Sequence, residues 1–100
     1  MNQVKASAER VDEPVWELPL ANRYRPELDS TLADLRNMGG ANAGTITAAL
    51  FLQEFVAGKP WVHIDIAGTA QSWTASKWRN KGTTGFGTRL LIDLALNFKA

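Results

Sequence analysis

The chain has 100 residues, enough for one domain, and no composition shift divides it, so a single unit over residues 1–100 is predicted. It is 45% apolar and 21% charged, which is typical of globular rather than disordered proteins. A net charge of +1 is too small to indicate a nucleic-acid or anionic-membrane partner. The absence of cysteine excludes disulfides and agrees with a cytoplasmic location. Neither a membrane span of ~20 apolar residues nor a secretory signal is expected.

The first predicted element is a helix over residues 2–13. Its apolar residues recur three or four positions apart on one face: Val4, Ala8 and Val11. No capping residue precedes it, which is typical of a helix whose start lies elsewhere, and Pro14 ends it. A loop and a short helix follow over residues 15–30, with either Asn22 or Pro26 at the helix start.

The middle of the chain predicts a strand and then an apolar helix. Over residues 31–38 apolar and polar side chains alternate, as in a strand. The helix opens at Gly44 and Thr45 and closes with Gly58 and Pro60. Because it is apolar nearly all round, we expect it to be buried on most sides. A chain of this length has little room for such a helix, so part of its covering is expected to lie elsewhere.

Residues 61–66 form the second predicted strand, with His63 and Asp65 on one face. Residues 71–84 are a polar loop, and residues 84–100 are the last helix. The apolar stripe of that helix is Phe86, Leu90, Leu94 and Phe98. The order helix, strand, helix, strand, helix predicts an α/β fold with helices packed on a sheet.

His63, the only histidine, and Asp65 are the first candidates for chemistry. Their spacing would let both contact one ligand, but a protein metal site usually needs three or four ligands. Neither an HExxH motif nor a spaced His/Asp cluster supplies the others. No GxSxG turn provides a nucleophile for an imidazole base. The alternative is that both groups form hydrogen bonds within a buried sheet.

Two glycine-rich stretches, residues 39–45 and 81–88, each precede a predicted helix, where backbone N–H groups can bind an anion. Neither matches the dinucleotide-binding or P-loop pattern, and the alternative is a tight turn at a helix start. Over residues 73–81 tryptophans alternate with basic residues, as in some single-stranded nucleic-acid sites. The small net charge disfavours that function, and the alternative is a loop held by buried tryptophans. The residues alone specify no complete site.

Four ordered blocks of the sequence resemble the C-terminal part of the catalytic domain of the leucyl aminopeptidases, the cytosolic two-metal family. VWELPL, followed by Tyr24, is similar to the family's W-x-L-P-L and tyrosine. LADLRNMGGANAGTITAALFLQEFV is similar to its A-D-x-x-N-x-G segment and the A-G-x-x-T-A-A-x-F-L that follows. WVHIDIAGTA and KGTTGFGTRLLIDLALN are similar to its W-x-H-x-D-I-A-G strand and its closing G-x-T-G-x-x-x-R helix. The resemblance covers nearly the whole chain.

The resemblance implies a hydrolase that releases N-terminal amino acids from peptides. In that family two divalent metals, zinc or manganese, activate the attacking water. The metal ligands and the catalytic lysine and arginine lie upstream, in a region that includes N-T-D-A-E-G-R, and this chain has no such stretch. The resemblance therefore implies that the chain binds no metal and is inactive alone. The upstream remainder of the catalytic domain and further copies in a homo-hexamer are its expected partners.

Three residues of the chain match substrate-binding positions of the family. Ala67 and Ala70 match positions that line the pocket for the N-terminal side chain of the substrate. Met38 matches a position that lines the pocket for the next residue. A different residue often occupies the Ala70 position, so a wide pocket is expected. The family's H-x-D pair does not bind metal, so His63 and Asp65 are expected to be structural.

A function of a different class stays open beside this one. The chain would then be a non-catalytic module of the same fold that covers its apolar helix by self-association. A separate 100-residue enzyme that uses His63 is the remaining alternative.

Overall fold

Helices dominate the part of the chain that the computed structural model describes, residues 1–76 and 79–100. The elements in chain order are α1 (Asn2–Arg10), a 3₁₀ helix (Asn22–Leu28), α2 (Gly44–Gln53), β1 (Gln71–Ser72), β2 (Gly82–Thr83) and α3 (Thr88–Asn97). All the predicted helices are therefore confirmed, although the three α-helices are shorter than predicted. The elements belong to two units, Met1–Trp16 with Ile64–Ala100 and Glu17–His63.

The two predicted strands do not form. Residues 31–38 are bends and irregular backbone, and residues 61–66 lie outside any ladder. A strand is defined by a ladder of hydrogen bonds to a neighbouring strand, and no described residues form a ladder with either segment. The sheet that forms instead is antiparallel, pairs β1 with β2, and lies within the predicted loop at 71–84. The mixed α/β class is confirmed, whereas helices layered on a central sheet remain a prediction.

The contact between α1 and α3 is the core of the first unit. Val4 and Ala8 of α1 pack against Leu90 of α3, and all three are buried. Ile64 and Leu94 pack against this cluster from its edge. The predicted stripes thus meet at Leu90 and Leu94, since neither helix can bury its apolar face alone. Phe98 of the predicted stripe lies beyond α3 and is 63% exposed.

Polar side chains at the rim align α1 with α3. Arg10 donates to Asp93 through Nε (3.0 Å) and Nη2 (2.5 Å), both to Oδ1. These charged hydrogen bonds hold the pKa of Asp93 below its usual value. Gln3 donates to the Lys99 carbonyl at 2.7 Å and accepts from the Lys99 amide at 2.8 Å. The orientation of the two helices is therefore specified at both ends of the contact.

A buried carboxylate closes the N-terminus of α3. Glu13 is 0% exposed, and its Oε2 accepts from the backbone N–H groups of Gly87 and Leu90, each at 3.1 Å. Gly87 has a φ of +91°, a conformation that side-chain-bearing residues rarely adopt. A negative charge is favoured at this end of a helix by its dipole. Oε1 of Glu13 is buried without a hydrogen-bond partner.

The second unit packs α2 against the 3₁₀ helix. Leu28 and Leu50 are each 1% exposed and provide its buried apolar centre. Arg25 donates to Glu54 at 2.6 Å and to Asp29 at 3.0 Å. The expectation that α2 is buried on most sides is wrong here. Only three of its residues are buried: Thr47, Ala49 and Leu50.

Replacing Glu13 with alanine is expected to destabilise the first unit. The Gly87 and Leu90 N–H groups would lose their acceptor in a buried site, at a cost of about 1–3 kcal/mol in the free energy of unfolding. Urea denaturation followed by circular dichroism measures this loss. Glu13→Gln is the matched control, because its amide oxygen can still accept both bonds, and it should lose much less. A Glu13→Ala variant as stable as the original chain would contradict the assigned role.

Candidate functional site

Ala67 and Ala70 lie on one tight turn of the first unit. The carbonyl oxygen of Ile66 accepts from the backbone N–H groups of Thr69 (2.9 Å) and Ala70 (2.8 Å). Oδ1 of Asp65 accepts from the N–H of Ala67 at 2.9 Å. Ala67 is exposed and Ala70 is half-buried. The structure therefore brings together two of the three predicted substrate-binding residues and presents small side chains on a hydrogen-bonded turn.

The expected role of Asp65 in a buried sheet is wrong. Its side chain is exposed and caps the turn that carries Ala67. His63 is half-buried, and its ring centroid lies 6.5 Å from that of Trp61. Because no strand forms over 61–66, the two residues have no common strand face.

No group of three or more potential metal-binding side chains occurs among the described residues. The described side chains therefore do not form a two-metal centre by themselves.

Carboxylates of this chain occupy backbone donors in both glycine-rich stretches. The N–H of Gly40 donates to Oε2 of Glu27 at 2.8 Å. The N–H of Gly87 donates to Glu13, as described above. Anion binding was one interpretation of these stretches. The structure supports the alternative, because internal carboxylates take the place that a bound anion would fill.

Met38 borders an open groove of the second unit. It is 74% exposed, and Leu35, Phe51 and Phe55 also line the groove. The adjacent Gly39 packs closely on the buried Thr47 of α2, which fixes the loop relative to that helix. The charged side chains of Asp34 and Arg36 also line the groove.

The tryptophan-rich stretch is only partly described. Trp73 is 85% exposed, so it does not hold the loop from within as expected. Lys77 and Trp78, which belonged to the same expectation, lie outside the described residues. Arg79 donates to the carbonyl of Asp12, an attachment within the first unit.

Two residues that support the site could not be found from the sequence pattern. Glu13 binds backbone groups more than 70 positions away, and Thr84 donates to the carbonyl of Thr69 in the turn at 2.5 Å. Glu13 belongs to no periodic stripe or ligand motif. Thr84 lies in the glycine-rich stretch 81–88, but that pattern does not indicate a contact with Thr69. Only the three-dimensional arrangement shows what they contact.

The family model for the catalytic domain of the cytosol aminopeptidase family matches residues 1–92. The chain belongs to this family. The match confirms the family indicated by the four sequence blocks. Within the described ranges, no helix has the length and apolarity that crossing a membrane requires.

Several bacterial relatives, each described as a probable cytosol aminopeptidase, align with most of the chain. The protein of Desulfotalea psychrophila is 51% identical over 84% of the chain and 17% of its own length. That of Clostridium tetani is 46% identical over 99% of the chain and 21% of its own length. That of Syntrophotalea carbinolica is 54% identical over 82% of the chain and 16% of its own length. The chain thus spans about a fifth of these relatives.

A methyl group added at Gly39 is expected to displace the Met38 loop. The new Cβ would lie 3.0 Å from both Cβ and Oγ1 of Thr47. Overpacking of this kind costs about 1–3 kcal/mol in the free energy of unfolding, measurable by urea denaturation. Gly44→Ala is the matched control, because its Cβ meets nothing within 4 Å. Equal stability of the Gly39→Ala and Gly44→Ala variants would show that the Gly39 contact is not constraining.

Proposed function

We propose that this chain works as the C-terminal part of the catalytic domain of a metal-dependent leucyl aminopeptidase. In this proposal residues 1–100 form one continuous part of that domain and supply framework and substrate-pocket wall. The observation that carries it is the family match over residues 1–92, joined to the finding that the described residues contain no cluster of metal ligands. The substrate of the complete enzyme is a peptide with a free N-terminus.

The reacting groups belong to the rest of the enzyme. Two divalent metals, zinc or manganese, would polarise the scissile carbonyl and activate water there. In this proposal the chain itself donates no metal ligand and no catalytic residue. Its part is to bind and orient the substrate beside that centre.

Ala67 and Ala70 are proposed to line the pocket for the N-terminal side chain. Their methyl groups leave room for a leucine-sized substituent, and the turn that carries them is closed by four hydrogen bonds. Met38 is proposed to line the pocket for the following residue. The exposure of Ala67 and Met38 supports these roles, because a pocket wall must be reachable by substrate.

Exposed apolar surface in both units supports a larger assembly. Trp73 of the first unit and Leu32 and Phe55 of the second are each more than half exposed. We propose that the upstream remainder of the catalytic domain covers this surface in a cytoplasmic homo-hexamer.

Exposed apolar residues on α3 favour the second candidate, a non-catalytic module that self-associates. Leu91, Ile92 and Leu96 of that helix are all more than half exposed. In this candidate a second copy covers them, and the chain in dilute solution sediments as a stable oligomer. A folded monomer with cooperative unfolding would exclude obligate self-association.

Enlarging Ala67 tests the pocket assignment in the complete enzyme that carries this segment. Ala67→Leu would fill space needed by a leucine side chain, so kcat/KM for a leucyl amide should fall by on the order of tenfold or more relative to a glycyl amide. Ala75→Leu, at another exposed alanine, is the control and should leave the ratio unchanged. If Ala67→Leu lowers kcat/KM equally for the leucyl and glycyl amides, or changes neither value, Ala67 does not line the side-chain pocket.

A further inference from the structure

We propose that Thr84 is a positioning residue whose hydroxyl group sets the side-chain selectivity of the pocket wall carried by residues 66–70. The inference rests on the proposed function, since it assigns to Ala67 and Ala70 their place in the substrate pocket. It adds a residue that touches no substrate and acts through the turn.

Thr84 joins the turn to the segment that begins α3. Its Oγ1 donates to the carbonyl of Thr69 at 2.5 Å, and its N–H donates to the carbonyl of Ala70 at 3.0 Å. The same Oγ1 accepts from the N–H of Phe86 at 3.1 Å. One hydroxyl group is therefore both donor and acceptor, and it links the turn directly to the backbone of Phe86.

The far side of this link is firmly held. Phe86 is buried, and the next residue, Gly87, donates to the buried carboxylate of Glu13. The pairing of Gln71 with Thr83 adjoins the Thr84 contacts and keeps the two strands in register. The hydrogen bonds of Thr84 thus fix the position of the turn relative to the start of α3.

Packing holds the middle of the turn only weakly. Ala67 and Gly68 are small and exposed, and a Cβ added at Gly68 would meet nothing within 4 Å. Small side chains make few dispersion contacts, so packing contributes little there. The bonds to the Ile66 carbonyl and to Asp65 close the turn on itself. The hydroxyl group of Thr84 ties the closed turn to the rest of the unit.

Displacement of the pocket wall at residues 66–70 changes the selectivity between substrates more than the rate of the hydrolytic step. Misplacement of a positioning element by ~1 Å can cost about 100-fold in rate, and one methylene in an apolar pocket is worth about 10- to 200-fold in discrimination. The rate for a substrate whose side chain fills the pocket depends on the position of the wall. The rate for an alanyl substrate, whose side chain is small, depends on it little. Loss of the Thr84 hydroxyl should therefore reduce the preference for leucyl over alanyl substrates.

The test compares isosteric variants in the complete enzyme carrying this segment. Thr84→Val keeps the shape and removes the hydroxyl group, while Thr84→Ser keeps the hydroxyl group. We expect Thr84→Val to lower the leucyl-to-alanyl ratio of kcat/KM by about tenfold with kcat for the alanyl amide nearly unchanged. Thr84→Ser should restore the ratio. Thr83→Val, at the exposed neighbour in β2, is the matched control and should behave like the original enzyme.

Amide hydrogen exchange in the 100-residue chain checks the bond itself. The Phe86 amide should exchange faster in Thr84→Val than in Thr84→Ser, because its acceptor is gone. This result does not depend on catalysis. If the complete enzyme hydrolyses no aminoacyl amide although Phe86 responds as expected, the proposed function fails and the selectivity role falls with it. The structural link would still stand.

Three results would overturn the inference. The first is an unchanged selectivity ratio in Thr84→Val despite loss of Phe86 protection. The second is an equal loss for leucyl and alanyl substrates, which would indicate a general structural role. Thr84→Ala is a second variant that also lacks the hydroxyl group and is too small to clash with its surroundings. The third result is that both Thr84→Val and Thr84→Ala fail to fold while Thr84→Ser folds. The hydroxyl group of Thr84 would then be needed for stability and not for selectivity.

Discussion

The buried carboxylate of Glu13 on the N-terminus of α3 is the interaction on which the first unit depends. It joins the segment after α1 to two backbone N–H groups at the start of α3, and Glu13, Gly87 and Leu90 are all buried. Burying a charge is costly unless it is paired or hydrogen-bonded, and the helix dipole together with two N–H donors provides that compensation. Next to Gly87, the N–H of Phe86 donates to Oγ1 of Thr84, which in turn donates to the carbonyl of Thr69 in the turn at 66–70.

A similar device recurs in the second unit, where Glu27 accepts from the backbone of Gly40. In both units a glycine-rich stretch brings its N–H groups close to an internal carboxylate. These stretches serve to set the geometry of turns beside the proposed pocket residues. The relatives from Desulfotalea psychrophila and Clostridium tetani are about five times longer than the chain.

The helices could be predicted because the spacing of apolar residues that indicates a helix lies within the segment itself. The stripe of Val4 and Ala8 and the stripe through Leu90 follow the helical period, and each finds its partner in the other. The strands at 31–38 and 61–66 could not be predicted correctly, because a strand exists only with a neighbour and alternation alone does not supply one. The predicted polar loop instead contributes β1 and β2, which pair Gln71 with Thr83 and Ser72 with Gly82.

Some residues of the candidate site could likewise be predicted from the sequence and others could not. Ala67, Ala70 and Met38 were identified from family resemblance, since nothing in an alanine or an exposed methionine indicates a pocket. Thr84 and Glu13 were missed because their contacts are long-range and polar. No periodic pattern marks a side chain that binds backbone groups far along the chain.

The central claim is that the chain supplies a pocket wall and no reacting group. Hydrolysis of a leucyl amide by the purified chain, supplied with zinc or manganese, tests it most directly beside the complete enzyme at equal molar concentration. The account predicts no turnover by the chain above that of the metal ions alone, and turnover by the complete enzyme. Metal-dependent turnover by the pure 100-residue chain would contradict it.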